Sequence, residues 1–169
     1  MPAGFSSTID GARAAAIAYA TASQRWMYLD DVGVEAAVSG IATSAAAPRL
    51  AAEVVDEVRV AREGLVSSPG RVWWIVRPLA TRVETHRAGS ARVAVWVVSV
   101  LSAPDVAMPQ SDWRTVTLEL EWERGDWRVD GIQDSAGPTP MLGPRDRPWA
   151  PEQLDESLDG FERIGVGQP

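Results

Sequence analysis

Between residues 115 and 123 apolar and polar side chains alternate without a break. Val116, Leu118, Leu120 and Trp122 stand against Thr115, Thr117, Glu119, Glu121 and Glu123. A period of two is that of a strand with one face buried and one wet. The turn Arg124-Gly125-Asp126 returns the chain into Trp127-Arg128-Val129-Asp130, where the alternation continues. That spacing predicts a hairpin, with Gly supplying the backbone freedom its turn needs. Upstream, residues 72–76 and 92–101 are apolar on both faces, so their strands need cover on both sides. Residues 72–132 therefore predict a run of long antiparallel strands. The first covers residues 71–77 and is interrupted by Pro78 at an edge or bulge. Extended chain resumes at 81–87, turns at Ala88-Gly89-Ser90 and returns through 91–101. A loop at 102–112, holding Pro104 and Pro109, precedes the closing hairpin.

Ahead of the strands the period changes to that of helices. Ser7 or Thr8 caps a first helix in which Ala12, Ala15, Ala16, Tyr19, Ala20, Ser23, Trp26 and Met27 recur at helical spacing. The stripe is mostly alanine, which suits close packing on a sheet. Asp30 or Asp31 caps a second, shorter helix through Val34, Ala37, Val38 and Ile41. Pro48 suits the first turn of a third, in which Leu50, Val54, Val58 and Ala61 form the buried stripe and Gly64 marks the end. After Ile132 come five prolines, at 138, 140, 144, 148 and 151, and then a segment at 152–160 able to form one or two helical turns. Trp149 and Phe161 predict that this C-terminal arm packs back on the body. The chain thus divides into a lead-in at 1–7, a folded domain at 8–132 and a Pro-rich arm at 133–169.

Composition adds exclusions. The net charge of −7 argues against direct binding to nucleic acid. All sixteen basic residues are arginine, and lysine, asparagine and cysteine are absent. No disulfide, thiolate nucleophile or zinc–sulfur site is available, and no P-loop, dinucleotide fingerprint or metal-ligand spacing occurs. No apolar run is long enough to span a bilayer. The bare start at Met1 is compatible with a chain cut just after a membrane anchor and equally with an intact cytoplasmic protein.

Residues 15–26, residues 48–63 and the run Leu120-Glu-Trp-Glu-Arg-Gly-Asp-Trp-Arg-Val-Asp-Gly131 carry a resemblance. Three helices followed by a bent antiparallel sheet that ends on such a hairpin resemble the nuclear-transport-factor-2-like fold over residues 8–132. The resemblance implies an α+β domain: three N-terminal helices on a strongly curved antiparallel sheet, a cystatin-like cone. It implies little about function, because this fold hosts isomerases, dehydratases, binding modules and assembly subunits. The bare start and the arginine- and alanine-rich composition also look similar to extracytoplasmic domains of type IV secretion and conjugation subunits from actinobacterial mobile elements.

Candidate chemistry is sparse. His86, the one histidine, would serve a dehydratase as a base inside the cone, but its place beside the Ala-Gly-Ser turn predicts a solvated side chain. Tyr19, Tyr28, Asp30 and Asp31 contain the residue types of an isomerase, an oxyanion donor and a proton-moving carboxylate; Asp30-Asp31 reads better as a helix cap. Trp73, Trp74, Trp96 and Trp122 line an apolar ligand cavity or, more simply, fill a core. Glu119, Glu121 and Glu123, with Glu84 on a neighbouring strand, offer calcium ligands, although alternation alone predicts a wet acidic face that can meet a basic partner. Arg124-Gly125-Asp126 spells an adhesion tripeptide that turn chemistry explains without adhesion. Trp73 and Trp74 point to opposite faces, one into the core and the other towards a helix, the arm or a partner. The sequence therefore predicts no catalytic, cofactor-binding or metal-ligating residue. It predicts an interface at Trp73, Trp74, Glu119, Glu121 and Glu123 for protein partners, self-association included. The expected setting is the extracytoplasmic face of the cell membrane, through an anchor not present in this chain, with the cytoplasm as the alternative. A small-molecule enzyme or ligand-binding protein using the cone cavity is the alternative function.

Overall fold

The structure is a computed structural model that describes residues 3–65, 72–103, 107–139, 156–157 and 159–163. Helical segments α1 (Ile9–Ala20), α2 (Ser23–Trp26), α3 (Asp31–Ser39) and α4 (Ala47–Glu63) precede the strands. These are β1 (Trp73–Arg87), β2 (Ser90–Ala103), β3 (Ala107–Glu123), β4 (Asp126–Ala136) and the two-residue β5 (Glu162–Arg163). The strands form one antiparallel sheet in the order β4-β3-β2-β1-β5, so the α+β class expected from the sequence holds. The expected strong curvature does not. The sheet is open, with β4 and β5 at its edges, and is not strongly curled. Bulges at Pro78–Ala80, Val83–Thr85 and Glu119–Leu120 bend single strands without joining one edge to the other.

Most local signals act where expected. The Thr8 hydroxyl accepts from the Gly11 amide at 3.1 Å and the Asp30 carboxylate from the Gly33 amide at 2.8 Å. Pro48 lies in the first turn of α4, and Gly64 is its C-cap. The first helix, however, ends at Ala20 instead of reaching Met27. The Thr21 hydroxyl donates to the carbonyls of Ile17 and Ala18 at 3.1 and 3.2 Å, competing with the next helical amides for them. The three expected helices thus become four, with α2 a single turn that carries Trp26 into the core. Ala61, expected in the α4 stripe, is exposed.

Two strand boundaries also move. β1 runs unbroken through Pro78, which sits at a bulge, as a residue without an N–H must. The loop expected at 102–112 is mostly strand: Ser99, Val100 and Leu101 pair with Asp112, Ser111 and Gln110. The register shift between Leu101 and Ala103 leaves Pro109 outside the pairing, so the proline that suggested a loop is housed in a bulge. Pro104 lies outside the described residues. β4 likewise runs past Ile132 to Ala136.

β2 is covered on its helix face from Ala91 to Ser99 and, on the other face, at Ala94 and Trp96 but not at Val98 and Val100. On one side Val93 and Val95, both fully buried, meet the alanine stripe of α1, where Ala12, Ala15 and Ala16 are also inaccessible. On the other side Ala94 and Trp96 are buried. There the Trp96 indole donates to the Pro138 carbonyl at 3.1 Å and packs 5.4 Å from the ring of Trp113. Phe161 lies 4.6 Å from the Arg82 guanidinium, and Ala80 and Thr81 pair with Arg163 and Glu162. The C-terminal arm therefore returns to the body at Pro138 and at 161–163. Trp149 and most of the helix expected at 152–160 lie outside the described residues.

The β3–β4 hairpin turns through Arg124 and Gly125, both at positive φ (55° and 79°), the conformation that makes a two-residue turn match strand twist. Asp126 is not displayed at that tip. It is buried, and its carboxylate accepts from the amides of Gly4 (3.1 Å), Phe5 (3.0 Å) and Trp127 (3.0 Å). This overturns the adhesion reading, because the acid of the tripeptide is spent inside the protein. The fully buried Trp127 ring donates to the Ser6 carbonyl at 2.8 Å, and Phe5 meets Tyr19 edge to face at 5.8 Å. The lead crosses α1 at Gly11, where an added Cβ would lie 1.9 Å from the Ser6 carbonyl oxygen. The Tyr19 hydroxyl, in turn, donates to the Trp127 carbonyl at 2.8 Å.

Gly11→Ala should consequently destabilise the protein, although glycine to alanine within a helix ordinarily gains roughly 1 kcal/mol. Asp126→Ala should cost about 2 kcal/mol in urea unfolding, and hydrogen exchange should show lost protection at the Gly4 and Phe5 amides in both variants. An unchanged Gly4 amide would contradict the clamp. Burial, and secondarily the Asp126 carboxylate, push the Tyr19 phenol up to about 12, with Arg128 opposing. The folded chain keeps a proton that the unfolded chain releases near pH 10. The stabilisation, roughly 3 kcal/mol when whole, is therefore complete below about pH 10 and lost as pH rises through about 12. With no lysine in the chain, few other groups titrate there. Unfolding midpoints measured across that window should fall in the parent protein and stay nearly flat in Tyr19→Phe.

Candidate functional site

Helix α4 packs chiefly on α3, which leaves a cleft of about 560 Å³ between α4 and strands β3–β4. Trp26, Leu50, Val54, Val116, Leu118 and Ile132 give it an apolar lining. Four charged groups join them: Glu53 and Glu57 from α4, Arg114 from β3 and Asp134 from β4. The Arg114 Nε lies 2.8 Å from both carboxylate oxygens of Asp134, and its Nη1 lies 3.2 Å from Asp112. Glu53 pairs with Arg49 one turn earlier at 3.0 Å. Trp26 is only 7% exposed, and its indole N–H has no hydrogen-bond partner. Arg62 fixes the turn that carries Trp26: its guanidinium donates to the carbonyls of Trp26, at 2.8 Å, and Leu29, and pairs with Asp31 at 3.0 Å.

In the sequence Trp26, Leu50, Val54, Val116 and Leu118 were legible as buried positions, but the charged groups Glu53, Glu57, Arg114 and Asp134 did not stand out as site residues. The signals were present but faint. Arg114 shares parity with Val116 and Leu118, which puts it on their face of the strand, and Glu53 and Glu57 border Leu50 and Val54 one turn apart. The tryptophans weighed as cavity lining or as core filling do not line this cleft, although Trp74 walls a smaller pocket beside it that shares Ala20, Ser23 and Arg114. Trp74 and Trp122 pack beside the core, whereas Trp96 is on the opposite face of the sheet. Tyr19 reaches the cleft wall with its hydroxyl already engaged. The Tyr28 hydroxyl donates to the Val72 carbonyl at 3.2 Å and accepts from the Trp74 amide at 3.1 Å. Asp30 is the α3 cap, and Asp31 pairs with Arg59 and Arg62. The isomerase-type group is thus not assembled. His86 is exposed at the end of β1, its ring 6.1 Å from that of Trp127 and outside the cleft lining.

The expected acidic face is mixed. Arg92 bridges Glu84, at 2.8 Å, and Glu119, and Arg82 adds a second bond to Glu84 at 3.1 Å. Burial opposes ionisation of Glu84, yet the hydrogen bonds from Arg92 and Arg82 win and hold its carboxyl below the usual range. Guanidinium groups thus occupy the space between carboxylates that a calcium ion would need. Glu121 is exposed opposite Arg128. Glu123 instead accepts from the Ser44 hydroxyl and, at 3.0 Å, the Ser44 amide, which lower its carboxyl.

The other end of the outer face is apolar. Trp73 pairs with Ser102, Ile75 with Val100, and Val98 with Trp113, so Trp73, Ile75, Val98, Val100 and Trp113 form one stripe on the face opposite the helices. Trp73 is 49% exposed, while Trp74 packs inward, as adjacent strand positions must. Both lateral edges of the sheet are partly closed. On β1, Tyr28 takes the Trp74 amide, Pro78 offers none, and β5 covers residues 80–81. On β4, the Thr43 amide donates to the Val129 carbonyl at 2.9 Å and the Val129 amide to the Ile41 carbonyl at 2.8 Å.

No protein-family model matches the chain. No curated protein matches it either. Among solved structures, it is similar to the intermembrane space region of the chloroplast protein ARC6. That likeness covers 77% of this chain and 99% of the other at 11% identity, with a TM-score of 0.44, too distant to carry fold or function.

Proposed function

We propose that this chain is a non-enzymatic protein–protein interaction domain of the nuclear-transport-factor-2-like class. On this reading it serves as an assembly subunit of a conjugative, type IV secretion-like apparatus at the extracytoplasmic face of the membrane. The observation that carries the interaction reading is the apolar stripe Trp73, Ile75, Val98, Val100 and Trp113 on the outer face. A sheet face turned to water carries alternating polar residues, and apolar patches rimmed by charge mark protein contacts. With the edges guarded, a partner meets the face instead of extending the sheet. No helix among the described residues is long and apolar enough to cross a membrane.

A second reading, a small-molecule site in the cone, has the α4 cleft in its favour. Its size lies within the roughly 300–1,000 Å³ common for small-ligand sites, and it combines an apolar lining with charged groups.

The interaction reading is tested by affinity capture of the tagged, native-length protein from detergent-solubilised membranes of its host, with mass spectrometry of what co-purifies. Secretion or conjugation components should be recovered and then lost in Trp73→Ala, compared with the parent at a temperature where the melting curves of both show them folded. Trp74→Ala is the wrong variant for this purpose, since removing a ring packed against the core costs about 3 kcal/mol. Recovery of the protein alone from the soluble fraction would overturn the proposal.

A further inference from the structure

We infer that the partner of the outer face presents an apolar segment flanked by carboxylates, which Arg77 and Arg25 receive along the β1 side of the stripe. The inference rests on the interaction reading above and gives the partner a chemistry. The first observation is the place of Arg77. It pairs with Val98 across β1 and β2 and shares strand parity with Trp73 and Ile75, so it borders the stripe on the stripe's own face. Its Nη1 donates to the Gln24 side-chain oxygen at 3.2 Å and to the Val76 carbonyl at 3.1 Å, both neutral acceptors. Arg77 therefore carries a charge that no carboxylate among the described residues offsets. Arg25 stands beside Gln24 on α2 and is exposed, and its side chain makes no hydrogen bond or ion pair among the described residues.

The second observation is that the acids of the neighbouring segments are already engaged. Asp30 accepts from the Gly33 amide, Asp31 pairs with Arg59 and Arg62, and Asp112 pairs with Arg114. In a chain of net charge −7, the border of the apolar stripe is thus positive. The carboxylates expected in the interface lie elsewhere. Glu119 is roughly 20 Å along β3 from Trp113, at about 3.3 Å per residue, and is bound by Arg92, while Glu123 is bound by Ser44. A guanidinium without a carboxylate, set beside apolar surface, favours one, which it holds through two parallel bonds. These cations flank the stripe on its β1 side only; on β3, Ser111 opposite Val100 is neutral. A bilayer sets phosphates on every side of an inserted patch, whereas a polypeptide laid along β1 sets its acids on one.

The test uses three synthetic peptides that share the core Leu-Trp-Val-Leu and carry at both ends a pair of glutamates, glutamines or lysines. In calorimetric titration of the full chain at low salt, the glutamate peptide should bind roughly fivefold more tightly than the glutamine peptide. The lysine peptide should bind more weakly than either. In about 0.5 M NaCl the preference should vanish. Arg25→Gln and Arg77→Gln together, in a protein whose melting curve shows it folded, should remove the preference and leave the glutamine peptide unchanged. Because the chain contains no lysine, Arg77→Lys supplies its first side-chain amine. A carbodiimide should join that amine to a glutamate of the bound peptide, whereas Arg87→Lys, at the far end of β1, should give no such cross-link. Equal affinity for the glutamate and glutamine peptides would overturn the acidic class while leaving the interaction reading standing. Preference for the lysine peptide would overturn it in favour of the acidic strand positions Glu119 and Glu121. Binding to phosphatidylglycerol vesicles, with none of the peptides bound, would overturn it in favour of a lipid surface. Failure of the peptides and the vesicles alike would sink the inference, while the interaction reading is decided separately by the capture from membranes.

Discussion

The structure depends on a carboxylate that is buried because it is needed there. Asp126 sits one residue past a tight turn, where an acid would normally be left in water, and instead gathers the amides of Gly4, Phe5 and Trp127. Three charge-assisted bonds offset the cost of burying the group. Its neighbour extends the same junction: Trp127 meets Ser6 through its ring nitrogen and Tyr19 through its carbonyl. The N-terminal lead, α1 and the β3–β4 hairpin therefore meet in one dry cluster. Residues separated by more than a hundred positions fix one another there, and the register of β4 against α1 follows from that contact.

The second constraint is the demand made by β2. A central strand that is apolar on both sides calls for cover on both. One side is met by alanines, whose small volume lets α1 lie close to Val93 and Val95. Alanine packing leaves α4 no comparable surface on the sheet, so α4 lies against α3 and the space between it and β3–β4 stays open. The cleft is thus a by-product of how closely the first helix sits. The other side is covered near Trp96 by Pro138 and left half open near Trp73.

Much of this fold was legible in the chain because its signals are local. Alternation over 115–123 named the strand and its faces, Thr8, Asp30 and Gly64 marked helix ends through bonds made within about one turn, and Pro48 marked one through its fixed φ. The misses share a different origin. Thr21 ends α1 through its own hydroxyl, a competition that propensity does not register. Pro109 suggested a loop because a bulge that excuses a proline is a property of the pairing, not of the strand. Asp126 was read as turn chemistry, which is locally sufficient, since the amides it serves are at the opposite end of the sequence. At the candidate sites, the opposed orientations of Trp73 and Trp74 were readable from strand parity. The cleft was not, because it arises from a distance between two elements.

The clamp at Asp126 also has a mechanical consequence. A pull along the chain at residue 4 does not first unwind α1, although α1 is next in sequence. It loads the Gly4 and Phe5 amides and is delivered through the carboxylate to the tip of the β3–β4 hairpin. From there it spreads through the Val129 bonds to the segment at 41–43. Tension on the lead is therefore borne by the sheet, and the helices are shielded until the hairpin gives way.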